Sequence, residues 1–173
     1  MYDLTVEGWM SEEELKQIEI WAAGVSPGGV IVEVGTYKGR SAIAWASSCN
    51  PSVTLYCYDR FENEDVDCHQ EFLENTKHLT NMKSFKGSCP KQVKYTGAPI
   101  DIFFLDASHG DGMQLTRLIN HHLPLMKKGS IFCGHDYTNA CPAVMASVNF
   151  LEELLGEEVT LYPNTSLWSF RIP

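Results

Sequence analysis

Basic residues are scarce in this chain: 13 Lys and Arg stand against 22 Asp and Glu, a formal charge of −9. That balance repels a phosphate backbone rather than collecting it, so nucleic acid is not an expected partner. Long apolar runs are missing too, and none approaches the roughly 18 residues that a membrane span requires. The first residues, Met1 to Glu7, carry neither a basic n-region nor an apolar h-region. No membrane partner is expected, and a cytoplasmic location is. Cysteine pairing is also absent: Cys49, Cys57, Cys68, Cys89, Cys133 and Cys141 include no Cys-x-x-Cys pair, and two fall in apolar strand-like runs, which suits reduced thiols. With no repeat, low-complexity tract or linker, the 173 residues, 44% of them hydrophobic, are expected to form one domain around one core, with a helical N-terminal segment over about 1–26.

What the chain does contain is alternation. Ser11-Glu12-Glu13-Glu14 has the Ser-x-x-Glu pattern of a capping box, after which Leu15, Ile18, Trp21 and Ala22 recur at helical spacing. Pro27-Gly28-Gly29 stops that helix, and the β-branched run 30–34 reads as a strand covered on both faces. Residues 35–39 form a turn, and the Ala-rich stretch 41–48 a helix. Strand-like runs follow at 53–58, 82–86, 100–105 and 130–134, separated by helical stretches at 68–79, 91–95 and 114–126. Lys127-Lys128-Gly129 reads as a helix stop, with cations at the negative end of the dipole. Strands separated by helices imply right-handed crossovers and a doubly wound, mostly parallel sheet. After a helix over about 140–155, runs at 158–162 and 167–172 are joined only by Pro163-Asn164-Thr165-Ser166, which suits a hairpin and not a crossover. The fold class expected is therefore α/β: one doubly wound, mostly parallel seven-stranded sheet with a C-terminal antiparallel hairpin.

Two places along this alternation carry chemistry. In Val34-Gly35-Thr36-Tyr37-Lys38-Gly39-Arg40-Ser41, two glycines lie between a strand and a helix, where lack of a Cβ lets the backbone turn sharply and approach a ligand. The third glycine of the dinucleotide fingerprint is missing, so pyrophosphate is not the natural ligand. The next strand ends at Asp59, which places a carboxylate beside that turn, suited to both hydroxyls of a ribose. Glu33 interrupts an apolar strand, where burial is costly unless a cation such as a ligand ammonium meets it. With Glu33, Gly35 and Gly39 in the order E-x-G-x-x-x-G, the chain resembles the class I S-adenosylmethionine-dependent methyltransferases, whose Rossmann-like fold agrees with the alternation. The resemblance implies S-adenosyl-L-methionine as cofactor and a binding set of Glu33, Gly35, Thr36, Tyr37, Gly39, Ser41, Asp59, Arg60, Gly87, Ser88, Asp106 and Ala107. Within that set Asp59 would hold the ribose, and Gly87 and Ser88 would lie near the adenine.

The second place is the carboxyl end of two later strands, where Asp106-Ala107-Ser108-His109 and Gly134-His135-Asp136-Tyr137 emerge. Chemistry in open α/β sheets gathers at that edge. A histidine there can take a proton from a hydroxyl nucleophile, and acids can hold a cation that lowers the hydroxyl's pKa. The wording resembles macrocin-type sugar O-methyltransferases and their cephalosporin hydroxylase-like relatives. It implies His109 as general base with Asp106 as a catalytic neighbour, and a metal set of Asp106, His135 and Asp136, possible ligands of Mg²⁺. His135 departs from that type, which has an acid at this position.

The function expected is methylation of a small hydroxylated acceptor, such as a sugar or glycosylated metabolite. The alternatives are a nicotinamide-dependent oxidoreductase on a related sheet and a cofactor-binding module without turnover. Tyr37, Phe61, Tyr137 and Trp168 are candidates for stacking at the mouth; Trp9 and Trp21 read as packing residues or as a lid. His69, His78, His121 and His122 read as solvent-facing or partly packed helix residues. Residues 62–67 read as a solvated loop. The acceptor pocket would come from the N-terminal segment, the loops after Asp59 and Asp136, or a second copy, since a homodimer covering the mouth is expected.

Overall fold

In a computed structural model, which describes residues 2–63, 66–107 and 109–173, the alternation becomes five helices and two sheets. The elements are α1 (Glu12–Ala23), β1 (Val30–Val34), α2 (Arg40–Ser48), β2 (Thr54–Asp59), β3 (Glu62–Asn63), β4 (Val66–Asp67), α3 (His69–Thr76), β5 (Met82–Lys86), β6 (Ile100–Leu105), α4 (Gly112–His122), β7 (Met126–Gly134), α5 (Pro142–Leu155), β8 (Thr160–Leu161) and β9 (Trp168–Arg171). The main sheet has seven strands in the order β5-β2-β1-β6-β7-β9-β8. Its first four pairings are parallel, and β9 pairs antiparallel with both β7 and β8, as the short tail connection requires.

Period-two alternation in the strands divides the core into two layers. Ile31, Leu55 and Phe104 face α1 to α3, where Leu15, Ile18, Trp45 and Phe72 pack. Val30, Val32, Val34 and Phe103 face the other way, onto Leu115, Leu118, Val148 and Leu151 of α4 and α5. The strand order reverses between β1 and β6, so the chain leaves the sheet in opposite directions there and opens a crevice at the carboxyl ends of both. The site lies in that crevice. No helix among the described residues is long and apolar enough to cross a membrane.

Four expectations are corrected. The helix expected to run to residue 126 ends at His122, because Pro124 tightens the chain into a 3-10 turn over Leu123–Leu125. Lys127, Lys128 and Gly129 are accordingly strand residues of β7, with Lys127 Nζ 2.6 Å from Asp101 Oδ1. The stretch 91–95 is turn and not helix, too short to nucleate after Pro90, with Tyr95 buried and its hydroxyl donating to Ala98 O at 2.7 Å. The expected loop at 62–67 pairs β3 with β4, while Glu64 and Asp65 fall outside the described residues, as does Ser108 of the Asp-x-x-His segment.

The capping box at the start of α1 forms as its pattern implies, with Ser11 Oγ accepting from Glu14 N and Glu14 accepting from Ser11 N. Phe61 and Trp168, candidates for the mouth, are fully buried core side chains, and Trp21 packs on Trp45 with ring centroids 6.1 Å apart.

Candidate active site

β1 ends in a turn whose shape is set from the neighbouring strand. Gly35 has φ +90, and a Cβ built on it would lie 1.8 Å from the Asp106 carbonyl oxygen, so glycine is required by close passage of β1 past β6. Gly39, with φ +96, begins α2 and faces α3, where a Cβ would meet Thr76 Cγ2 at 2.8 Å. Between them, Asp59 Oδ2 accepts from the backbone amides of Thr36 and Tyr37, both at 2.7 Å, while Oδ1 accepts from Phe61 N at 2.8 Å. A carboxylate has about four lone-pair sites, so Asp59 spends most of its capacity shaping the turn and keeps room for one further donor.

Glu33 lies beneath this turn with no exposure to solvent. Its Oε2 accepts from Cys57 Sγ at 3.5 Å, but Oε1 has no hydrogen-bond partner, and neither has the buried Thr36 Oγ1 above it. Burial pushes the Glu33 carboxyl up to about 7, against the nearby Ser41 and Thr36 hydroxyls that favour its charged form. A half-ionised acid with an unpaired oxygen is costly in a packed interior.

At the ends of β6 and β7 the acids and imidazoles form one cluster. His109 Nε2 lies 3.4 Å from Asp106 Oδ1 and 2.8 Å from Asp136 Oδ2. Hydrogen bonds to Asp106 and Asp136 raise the His109 imidazole to about 10, so it is protonated at neutral pH. His135 presents Nδ1 to Asp136 Oδ1 at 3.3 Å and Asp106 Oδ1 at 3.6 Å, and Nε2 to Glu14 Oε1 at 3.0 Å. Burial opposes its charge, yet the three surrounding carboxylates override this and push it to about 12. The same charges hold Asp106 and Asp136 below the usual carboxylate range despite burial.

Both ring nitrogens of His135 face carboxylates, Nδ1 towards Asp106 and Asp136 and Nε2 towards Glu14. The donor atoms that converge, all within 4.8 Å of one another, belong to Asp106, His109 and Asp136.

A cavity of about 950 Å³ joins the turn to this cluster, near the top of the ~300–1,000 Å³ range of small-molecule sites. Gly35, Thr36, Tyr37, Ser41, Asp59 and Arg60 line one part of it, and Gly87, Ser88, Asp106, Ala107, His109, His135 and Asp136 another. Glu33 and Gly39 do not reach the wall. A third side comes from the N-terminal segment, one of the expected sources of the acceptor pocket: Glu7 to Met10 line the cavity, held by Arg40, whose Nε donates to Val6 O at 2.6 Å and Nη1 to Met10 O at 3.0 Å. Trp9 on this strap is 70% exposed and lies against Tyr37, ring centroids 4.6 Å apart. Glu14 was missed, since the capping box already accounted for it. Of the other histidines, His122 is fully buried, stacked on Phe103.

A Rossmann-like sheet with a ligand-sized crevice at its switch point defines an α/β protein of the small-molecule-binding kind. Residues 32–137 match the model of a methyltransferase domain family, and the chain belongs to that family. No curated protein matches it by sequence. Among solved structures it is similar to a Staphylococcus aureus protein described as a caffeoyl-CoA O-methyltransferase, at 16% identity and TM-score 0.74, covering 95% of this chain and 85% of that one. It is also similar to the O-methyltransferase TomG of Streptomyces achromogenes, solved in complex with S-adenosylmethionine, at 18% identity and TM-score 0.67, covering 95% and 82%. A precorrin-6y methyltransferase from Geobacter metallireducens matches at 13% identity and TM-score 0.72, covering 99% and 93%. At such identities these likenesses establish the fold, and the chemistry must be argued from the site.

Proposed function

We propose that this protein transfers a methyl group from S-adenosyl-L-methionine to a hydroxyl of a small acceptor, such as a sugar or glycosylated metabolite. The observation that carries the reading is the single cavity that joins the Gly35–Asp59 turn to the Asp106–His109–Asp136 cluster. The turn fits the cofactor: Asp59 has one acceptor position left for a ribose hydroxyl, and the unpaired Glu33 Oε1 and Thr36 Oγ1 lie under the wall where a ligand ammonium would be drawn. Thr36 and Ser41 line the cavity beside Glu33, so the buried charge lies one side chain from a bound ligand. Gly87 and Ser88 close the side assigned to the adenine. When bound, the cofactor would supply a methyl carbon on a sulfonium, open to in-line attack by the acceptor oxygen as the C–S bond breaks and the thioether of S-adenosylhomocysteine leaves.

The protein's own tasks are to align that oxygen and accept its proton. His109 is the group for the second task. Asp106 and Asp136 hold it as an imidazolium, which cannot accept a proton, so an acceptor hydroxyl that hydrogen-bonds to Asp136 must first draw that acid away, lowering the His109 pKa until the ring releases its proton to solvent. Neutral His109 then takes the hydroxyl proton.

The convergence of two carboxylates and an imidazole favours a second reading of the same cluster. Asp106, His109 and Asp136 would hold a divalent cation such as Mg²⁺, which would lower the pKa of the acceptor hydroxyl, with His109 as a ligand instead of the base. Loss of methyl transfer on chelation, with recovery on adding Mg²⁺, selects the cation reading; activity that survives chelation selects His109 as base.

Calorimetry with S-adenosylmethionine and S-adenosylhomocysteine tests the core of the proposal, followed by transfer of labelled methyl to a panel of hydroxylated small molecules. Binding of neither nucleoside at millimolar concentration, or preferential binding of reduced nicotinamide cofactor, rejects it.

A further inference from the structure

Glu14 belongs to α1, outside the residues matched by the family model, and it does more than cap that helix. Its Oε2 serves the cap, accepting from Ser11 N at 2.8 Å and Ser11 Oγ at 3.0 Å. Its Oε1 is turned to the sheet edge and accepts from three groups: His135 Nε2 at 3.0 Å, Ser166 N at 2.9 Å and Ser166 Oγ at 3.2 Å. Both Glu14 and His135 are buried, so neither interaction is shared with solvent.

From Oε1 two paths lead to Asp136. The first runs through the His135 ring, whose far nitrogen lies 3.3 Å from Asp136 Oδ1. The second runs through Ser166, whose Oγ accepts from Asp136 N at 3.2 Å. Asp136 needs such support, because its φ of +64 is a left-handed conformation that side chains other than glycine adopt at a cost. The other oxygen of Asp136 then holds His109 Nε2 at 2.8 Å.

We propose that Glu14 is a positioning residue: through His135 and Ser166 it fixes the Asp136 carboxylate, and thereby the His109 ring, for proton transfer. The proposal rests on the methyltransferase reading for its purpose, but its geometry can be tested independently. A ring held from two sides by charged partners keeps one orientation, and removal of the far partner releases it. An amide at position 14 keeps one acceptor oxygen in place of two and carries no charge, so Glu14→Gln weakens the charge-assisted His135 contact whichever way the amide turns, at nearly constant volume. Ser11→Ala weakens the helix cap while leaving Oε1 in place.

The experiment is histidine-ring NMR of the full chain for wild type, Glu14→Gln and Ser11→Ala, with S-adenosylhomocysteine affinity measured by calorimetry on the same samples. The expected result is displacement of the His109 ring signals beyond their line width in Glu14→Gln but not in Ser11→Ala, with nucleoside affinity unchanged to within about twofold. Unmoved His109 signals in Glu14→Gln, or equal displacement in both variants, overturns the proposal. If Glu14→Gln does not fold, Glu14→Asp keeps the charge but withdraws it by one methylene, and the same displacement decides. A wild-type chain that binds no S-adenosylhomocysteine rejects the methyltransferase reading, while the ring signals still decide the role of Glu14 in holding His109.

Discussion

Gly35 passes so close to Asp106 that a Cβ on the glycine would lie 1.8 Å from the aspartate's carbonyl oxygen. The two residues end neighbouring parallel strands, and Asp106 N donates to Val34 O at 2.9 Å, so neither strand can withdraw without breaking the ladder at the crevice. Gly35→Ala adds strain at positive φ to a backbone clash, each a recognised source of large losses. The expected destabilisation is about 3 kcal/mol or more, seen as a lowered urea midpoint. A variant of wild-type stability that has lost only nucleoside affinity would contradict this and return Gly35 to a purely ligand-facing role.

Asp59 is bound on one side by the amides of Thr36 and Tyr37 and keeps one acceptor position for a ligand. Asp59→Asn places an amide donor or a weaker acceptor against those N–H groups and removes the charge a ribose hydroxyl would meet. S-adenosylhomocysteine affinity should fall by about 1–3 kcal/mol, roughly 5- to 150-fold, read by calorimetry. Lys128→Ala, at an exposed position of β7 away from the cavity, is the comparison. Equal losses in both variants would mean that Asp59 has no ligand contact of its own.

Most of the sheet was legible because each strand is an apolar run bounded by glycine, proline or a polar turn, and each helix has a 3.6-residue stripe. The misread segments have separate causes: Pro124 cut short a helical pattern, the stretch 91–95 was too short to nucleate a helix, and the pairing of residues 62–63 with 66–67 left no signal in a polar run. Site residues at strand ends were legible as a group, since topology brings all carboxyl ends to one edge. What could not be read was pairing across the chain. Nothing near Glu14 announces His135, 121 positions away, and nothing near Arg40 announces the carbonyls of Val6 and Met10. Nor does the sequence separate glycines that admit a ligand from glycines that admit a neighbouring strand. Gly35 and Gly39 both have structural reasons to be glycine.

Burial gives Glu33 a measurable pH signature. Its carboxyl titrates at about 7 in the folded chain, against an ordinary value of 4.5. The folded state therefore retains a proton between these values that the unfolded chain has released. Stability from this group is fully present below 4.5 and is lost as pH rises through about 7. Glu33→Gln has no proton to lose, so at pH 8 it should be more stable than wild type by about 2–3 kcal/mol, with the advantage shrinking towards pH 5. A ligand ammonium favours the ionised acid, so wild-type S-adenosylhomocysteine affinity should fall as pH drops below 7, and that dependence should vanish in Glu33→Gln. Urea unfolding and calorimetry at a series of pH values give both readouts. Parallel stability curves for the two proteins would show that Glu33 keeps an ordinary pKa.

His122 makes the opposite signature on the other face of the sheet. It is fully buried, its ring lies 4.2 Å from the Phe103 centroid, and Nδ1–H donates to Leu118 O at 2.8 Å, which leaves Nε2 facing Cys89 Sγ at 4.0 Å. Burial lowers its pKa from 6.5 to about 4, so the folded chain refuses a proton that the unfolded chain accepts between those values. Stability from this group is intact above 6.5 and is lost as pH falls towards about 4, where the loss levels off at about 3 kcal/mol. His122→Phe keeps the ring stacked on Phe103 and gives up the hydrogen bond to Leu118, at a cost of about 1 kcal/mol that does not vary with pH. Below pH 5 its stability should therefore exceed that of wild type, although it is lower at pH 7. Urea midpoints across pH 4 to 8 should cross for the two proteins. Curves that run parallel over that range would place the imidazole in contact with water and show that the α4 face of the core is not closed around it.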